Sequence, residues 1–192
     1  MREVEILVEL YSDIEIAMQA LKEFEFHGSK ETIDKYYFDP LRQNLKLNDS
    51  NKLMECCRLR TMNGRHYVTY KVDIYEQKQW KYSEEFETEV CDIQKMEKIF
   101  ISLGLESLVT IHNVKHIFAH HQFEISLEEV KNLGSFLEIE YQSNDDSLSI
   151  DQMRGEINAF INLLNFKVGS ELNSGKPELL LLKQQKLSAI IS

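Results

Sequence analysis

Carboxylates recur at alternate positions in this 192-residue chain: Glu3 and Glu5, then Glu85 and Glu87, then Glu138 and Glu140. Arg58 and Arg60 repeat the pattern with bases, and Lys71 falls in the next alternating run. Residues two apart on an extended strand share a face, about 7 Å from each other, so like charges at this spacing repel unless a cation or neighbouring bases offset them. Carboxylate oxygens hold a hard divalent ion, and Arg and Lys hold phosphate oxygens. Acid-faced strands beside a base-faced strand are what a site for a metal-bound polyanion needs. Closing such a sheet with its charged face inward gives a barrel with a polar lumen, its apolar outer faces covered by helices.

The elements that must position these groups can be read from periodicity. Val4, Ile6, Val8 and Leu10 share one face of a first strand, with Glu3, Glu5, Leu7 and Glu9 on the other. Alternation returns over 57–61 and 67–72, and the turn between them, Met62 to Arg65, contains the hairpin signal Asn63-Gly64. Further strands are expected over 85–90 and 136–140. Helical spacing predicts helices over 13–26, over 93–103 with a stop at Gly104, over 150–164, and from Pro177 to Ile191. Ser126 and Glu129 fit a capping box before a short helix ending at Gly134. Residues 40–52 read as a polar loop. No repeat or linker divides the chain, which reads as a single α+β domain.

Composition excludes several function classes. Seven glycines are too few and too scattered for a P-loop or a GxGxxG turn. With 32 acids against 22 bases and no basic block, nucleic acid is not an expected partner. The three cysteines, Cys56, Cys57 and Cys91, form no CxxC pair and suit a reducing compartment. Glu3, Glu5 and Glu9 interrupt any signal-peptide core, and the longest apolar run, Leu179 to Leu182, is too short for a bilayer. The expectation is a cytoplasmic protein with no membrane partner. His112, His116 and His120 would share a strand face, yet a zinc site needs further tetrahedral ligands, so they read as edge and turn histidines. His66 is expected to face solvent, and Cys56 and Cys57 to be structural. Tyr36, Tyr37 and Phe38 read as core aromatics.

Six blocks in order carry a family resemblance: Glu3-x-Glu5, Tyr36-Tyr37-Phe38-Asp39-Pro40, Cys57-Arg58-Leu59-Arg60, Tyr67-Val68-Thr69-Tyr70-Lys71, Glu85-x-Glu87 and Leu133 to Glu140. Together they resemble the CYTH superfamily of triphosphate tunnel metalloenzymes, most nearly its class IV adenylate cyclase branch. The resemblance spans residues 1–172, leaving 173–192 as a helical extension of the same domain. It implies an eight-stranded antiparallel tunnel that binds a triphosphate with Mg²⁺ or Mn²⁺. Matched residue by residue, it implies metal-binding roles for Glu3, Glu5, Glu85, Glu87, Glu138 and Glu140. Arg58, Arg60, Lys71 and Lys115 match phosphate-binding positions, and Glu5, Arg60 and Lys71 would be catalytic. A tyrosine of the 36–38 block could then face substrate, and a homodimer is implied as well.

Five positions depart from the family pattern. Leu7 stands where ExExK has its lysine, Asn113 and Lys115 stand for Lys-x-Arg, Ser83 stands for an arginine, and Glu128 stands for an aspartate. Three readings follow: conversion of ATP to cyclic AMP and pyrophosphate, hydrolysis of inorganic, thiamine or nucleoside triphosphates, and a non-catalytic module binding polyphosphate or nucleotide.

Overall fold

A computed structural model describes residues 2–49, 52–142 and 148–191, with the side chains of Arg2 and of 187–191 left aside. The last part of the C-terminal apolar stretch, including the side chains of Leu187, Ile190 and Ile191, therefore lies outside what is described. In chain order the elements are β1 (Arg2–Glu3), β2 (Glu5–Leu10), α1 (Ile14–Ala20), β3 (Glu25–Phe38), β4 (Glu55–Met62), β5 (Arg65–Glu76), β6 (Gln79–Glu89), α2 (Ile93–Ser102), β7 (Glu106–His120), β8 (Phe123–Val130), β9 (Gly134–Tyr141), α3 (Ile150–Ile161), β10 (Val168–Glu171) and α4 (Lys176–Ile191).

All strands belong to one antiparallel sheet, ordered β1-β6-β5-β4-β3-β7-β8-β9-β2-β10. The N-terminal segment lies at both ends of this circuit. Glu3 pairs with Ser83 of β6 through β1, and two residues later Glu5 pairs with Glu140 of β9 through β2. Counting that segment once, eight strands curl into the expected tunnel, and β10 adds a further strand outside on β2.

Alternation explains why the sheet curls with its charges inward. Val4, Ile6, Val8 and Leu10 join Ile125, Leu127, Leu137 and Ile139 in an outer core beneath α1 and α3. Cys57, Leu59 and Tyr37 form a second outer core with Phe100 of α2. Asp92 caps α2 by accepting from Lys95 N at 2.9 Å, and Ser149 with Gln152 forms a capping box on α3. Asn63 and Gly64 both take positive φ in the β4–β5 turn, the conformation that Asn-Gly favours in a two-residue hairpin.

One expected helix is a strand. Ser126 to Glu129 lie within β8, where Phe123, Ile125 and Leu127 alternate into the outer core and Ser126 pairs with Ile117 and Glu138. A period of two buried against two neighbouring strands outweighs the local capping signature. The first helix is also shorter than its periodicity suggests, ending at Ala20 before β3 opens at Glu25. Among the described residues no helix is long and apolar enough to cross a membrane.

Candidate active site in the tunnel

The lumen contains a cavity of about 240 Å³. All ten residues singled out from the sequence line it: Glu3, Glu5, Glu85, Glu87, Glu138 and Glu140 among the acids, and Arg58, Arg60, Lys71 and Lys115 among the bases. They come from seven strands, β1, β2, β4, β5, β6, β7 and β9, so the fold brings together groups separated by as many as 137 positions of sequence (Glu3 to Glu140).

Each of the four bases is held by its own set of carboxylates. Lys71 stands between Glu5 and Glu85, 2.9 Å from each, with Glu3 at 3.9 Å and the Trp80 ring centroid at 5.3 Å. Arg58 donates to Thr69 Oγ1 at 3.0 Å and to Glu87 at 3.1 Å, while Thr69 also donates to Glu87 at 2.6 Å. Arg60 makes a two-pronged pair with Asp34, both contacts at 2.7 Å, a planar geometry that lysine cannot reproduce. Lys115 lies 2.8 Å from Glu128 and 3.0 Å from Glu138.

Electrostatics separates these acids into two kinds. Burial would raise the Glu85 carboxyl, but Lys71 and then Arg58 outweigh it and hold the group down at about 2. Burial likewise opposes charge on Glu138, which Lys115 and Lys176 hold well below the usual carboxylate range. Glu140 has no cation at salt-bridge distance among the described residues. Burial, reinforced by Glu3, Glu5 and Glu124, pushes it up to about 8. Burial and Glu85 raise Glu3 to about 7 despite Lys71. The corner formed by Glu3, Glu5, Glu140 and Glu124 thus holds more carboxyls than Lys71, the cation beside Glu3 and Glu5, can offset. Its oxygen donors fit a hard divalent ion, although no three acids already converge on one point among the described residues.

Comparison with known proteins decides the family. The CYTH domain profile matches residues 1–168. The chain belongs to the CYTH family. This CYTH chain is 31% identical over 166 residues to a Methanocaldococcus jannaschii protein named as a proposed adenylate cyclase, covering 86% of this chain and 90% of the relative. Its fold matches a solved Pyrococcus horikoshii OT3 protein with a TM-score of 0.75 at 25% identity, covering 93% of this chain and 99% of the other. It also matches, with a TM-score of 0.68 at 16% identity and coverage of 94% and 96%, a Hippeastrum protein described as a proposed adenylyl cyclase with a dominant triphosphatase activity. The last likeness concerns the fold alone.

The departures from the CYTH pattern have structural reasons. Leu7 packs with Tyr36, Val109, Ile111, Val130 and Phe136 against Leu180 of α4, so an apolar plug fills the tunnel end where the lysine is expected. Ser83, fully buried, donates to Asp73 at 2.7 Å and accepts from the Trp80 indole at 3.1 Å, a chain that leaves no room for a long cation. Glu128, also fully buried, serves as the shared anion for Lys115 and Lys176.

Lys176 is the principal residue that motif reasoning missed. It lies beyond the matched 168 residues, enters the cavity from the first turn of α4, and sits 2.8 Å from Glu128 and 2.6 Å from Glu138. Its segment is fixed at that end of the tunnel. Glu178 accepts from Leu53 N at 3.1 Å, and Asn173 accepts from Trp80 N at 3.2 Å. The only local signal was the apolar run Leu179 to Leu182, which demands burial but names no place for it. Tyr36 lines the cavity, whereas Tyr37 points outward and donates to Glu97 of α2 at 2.8 Å. His116 is held at Ser29 Oγ, 2.7 Å away.

Proposed function

We propose that this protein is a divalent-metal-dependent enzyme that binds the triphosphate of ATP or a related compound in the tunnel and cleaves it at phosphorus. The observation that carries this reading is the lumen itself, where a cluster of carboxyls in excess of its neighbouring cations shares one small cavity with five bases. Glu3, Glu5 and Glu140 would hold Mg²⁺ or Mn²⁺, with Glu138, Glu85 and Glu87 beside them. A bound ion supplies neutralisation of the charge that develops on phosphate oxygens as a displacement at phosphorus proceeds.

The chain's own groups do the rest. Arg58, Arg60, Lys71, Lys115 and Lys176 hold phosphate oxygens, and the carboxylates that now face them fix their directions before any ligand arrives. Such preorganisation lowers the reorganisation needed during reaction. Leu7 and Leu180 close the far end and keep water from passing through it.

Two outcomes at phosphorus suit this site. Attack by the ribose 3′-hydroxyl on the α-phosphorus expels pyrophosphate and leaves cyclic AMP, the reaction favoured by the name of the 31%-identical relative. Attack by water on the terminal phosphorus is favoured by cavity size, since about 240 Å³ falls below the ~300–1,000 Å³ typical of pockets for whole drug-sized ligands. Incubation with ATP, and separately with inorganic triphosphate, in Mg²⁺ or Mn²⁺ with chromatographic resolution of products tests both. Cyclic AMP supports cyclisation, and phosphate release supports hydrolysis. A protein that binds either ligand yet produces nothing is a binding module instead.

A further inference from the structure

Among the described residues three buried side-chain polar atoms have no partner: Thr32 Oγ1, Asn113 Oδ1 and Tyr75 Oη. Two of the three are neighbours. Thr32 on β3 and Asn113 on β7 are directly opposite each other in the antiparallel ladder, so their side chains stand side by side. They are 1% and 3% exposed, and Asn113 lines the tunnel cavity. Buried polar atoms are nearly always paired, so two orphans at one spot point to a group that the polypeptide does not supply.

The chemistry of that group follows from the two atoms. Asn113 Nδ2 donates to Glu128, which Lys115 and Lys176 hold in place, each 2.8 Å away. Turning the amide over would set its carbonyl oxygen against a carboxylate. Asn113 Oδ1 is therefore fixed as an acceptor, while the Thr32 hydroxyl can donate or accept. An ionised phosphate oxygen has only lone pairs, and here it would meet the lone pairs of Asn113 with the Glu128 anion behind them. A hydroxyl satisfies both atoms at once, donating its proton to Asn113 Oδ1 and accepting from Thr32 Oγ1.

We propose that Asn113 and Thr32 form a hydroxyl-binding subsite in the tunnel wall, which takes an O–H group carried by the bound polyphosphate compound. This rests on the reading that the tunnel binds polyphosphates. The subsite differs from the lysine implied by family resemblance at Asn113, because a lysine selects an anionic oxygen and this pair rejects one. Two sources could present the O–H group: a sugar hydroxyl of a nucleoside triphosphate, or the protonated terminal phosphate of the chain.

The test is equilibrium binding of inorganic triphosphate, ATP, 2′-deoxy-ATP and 3′-deoxy-ATP to the wild type, Thr32→Val and Asn113→Leu, each at several pH values. Thr32→Val is isosteric and suits a strand, so it decides the matter even if Asn113→Leu does not fold. A sugar source predicts that one deoxy analogue binds the wild type about tenfold or more weaker than ATP, and that Thr32→Val abolishes the difference. A terminal-phosphate source predicts that wild-type affinity for inorganic triphosphate falls as pH rises through the ligand's own last ionisation, and that Thr32→Val flattens this profile. Variants that bind every ligand within about twofold of wild type, with unchanged pH profiles, would show that the two atoms hold only water and overturn the subsite. Failure of the wild type to bind any of the four would instead overturn the polyphosphate reading.

Discussion

The tunnel has two halves built from the same strands. Its charged half is lined by Glu3, Glu5, Glu140 and the bases of β4 and β5, whereas its far end is an apolar plug of Leu7, Tyr36, Val109, Ile111 and Phe136 with Leu180. On β2 the change takes place between Glu5 and Leu7, two positions apart on one face. The charged half keeps buried groups whose charges are poorly matched, at a cost in stability, which is the mark of a site prepared for a ligand. The plug removes apolar surface from water and needs no partner from outside. Chemistry and stability are thus divided along the tunnel axis, and α4 belongs to both, with Lys176 reaching the charged half and Leu180 closing the other.

The sharpest way to break this division is to neutralise the acidic corner proposed to hold the metal. Glu5→Gln and Glu140→Gln are each expected to lower turnover by about a thousandfold, and Glu140→Gln, which removes a carboxyl with no cation beside it among the described residues, to leave thermal unfolding nearly unchanged. Steady-state rates and calorimetric melting of the same samples check both statements, and undiminished rates in both variants would sink the metal assignment.

Lys176→Ala tests the residue that bridges the halves. It leaves the fully buried Glu128 with Lys115 as its remaining cation, so a loss of about 3 kcal/mol in urea unfolding is expected together with weaker triphosphate binding. Leu7→Ala is the complementary change at the plug. It should cost about 2–3 kcal/mol by leaving a cavity against Leu180, with the turnover of the folded fraction retained.

The smallest expected effect concerns pH and the base of α4. Burial raises the Glu178 carboxyl to about 7, opposed by the Leu53 amide and its own. A folded-state value above the unfolded one means that this group favours folding most below about 4.5 and that the contribution is lost as pH rises through about 7. Glu178→Gln should therefore flatten the decline in melting temperature between these values and raise it at pH 8. An unchanged profile would place the titration elsewhere.

Much of this arrangement was legible in the sequence because strands have a period of two. Alternation at Glu3 to Leu10, Arg58 with Arg60, and Glu138 with Glu140 fixed which side chains share the lumen, and the order of the blocks fixed their family. Long-range return was not legible. No local pattern tells that Lys176 folds back onto Glu138, or that Thr32 lies opposite Asn113, since both depend on pairing register and on where a helix docks. β3 and β7 were also largely hidden. Over Glu31, Asp34 and Lys35, and again over His112 and Lys115, polar groups serve both faces and blur the alternation. The capping signature at Ser126 misled for the opposite reason, because a local motif was read where buried neighbours decided the backbone.

Trp80, the single tryptophan, reports directly on the central claim, since its ring lines the cavity beside Lys71. The decisive measurement is a fluorescence titration of the wild type and Glu140→Gln with inorganic triphosphate, with and without Mg²⁺. A tunnel in which excess acid must be met by a divalent ion predicts saturable binding to the wild type only when Mg²⁺ is present, and markedly weaker binding to Glu140→Gln. Equal binding with and without the metal, or identical curves for the two proteins, would contradict it.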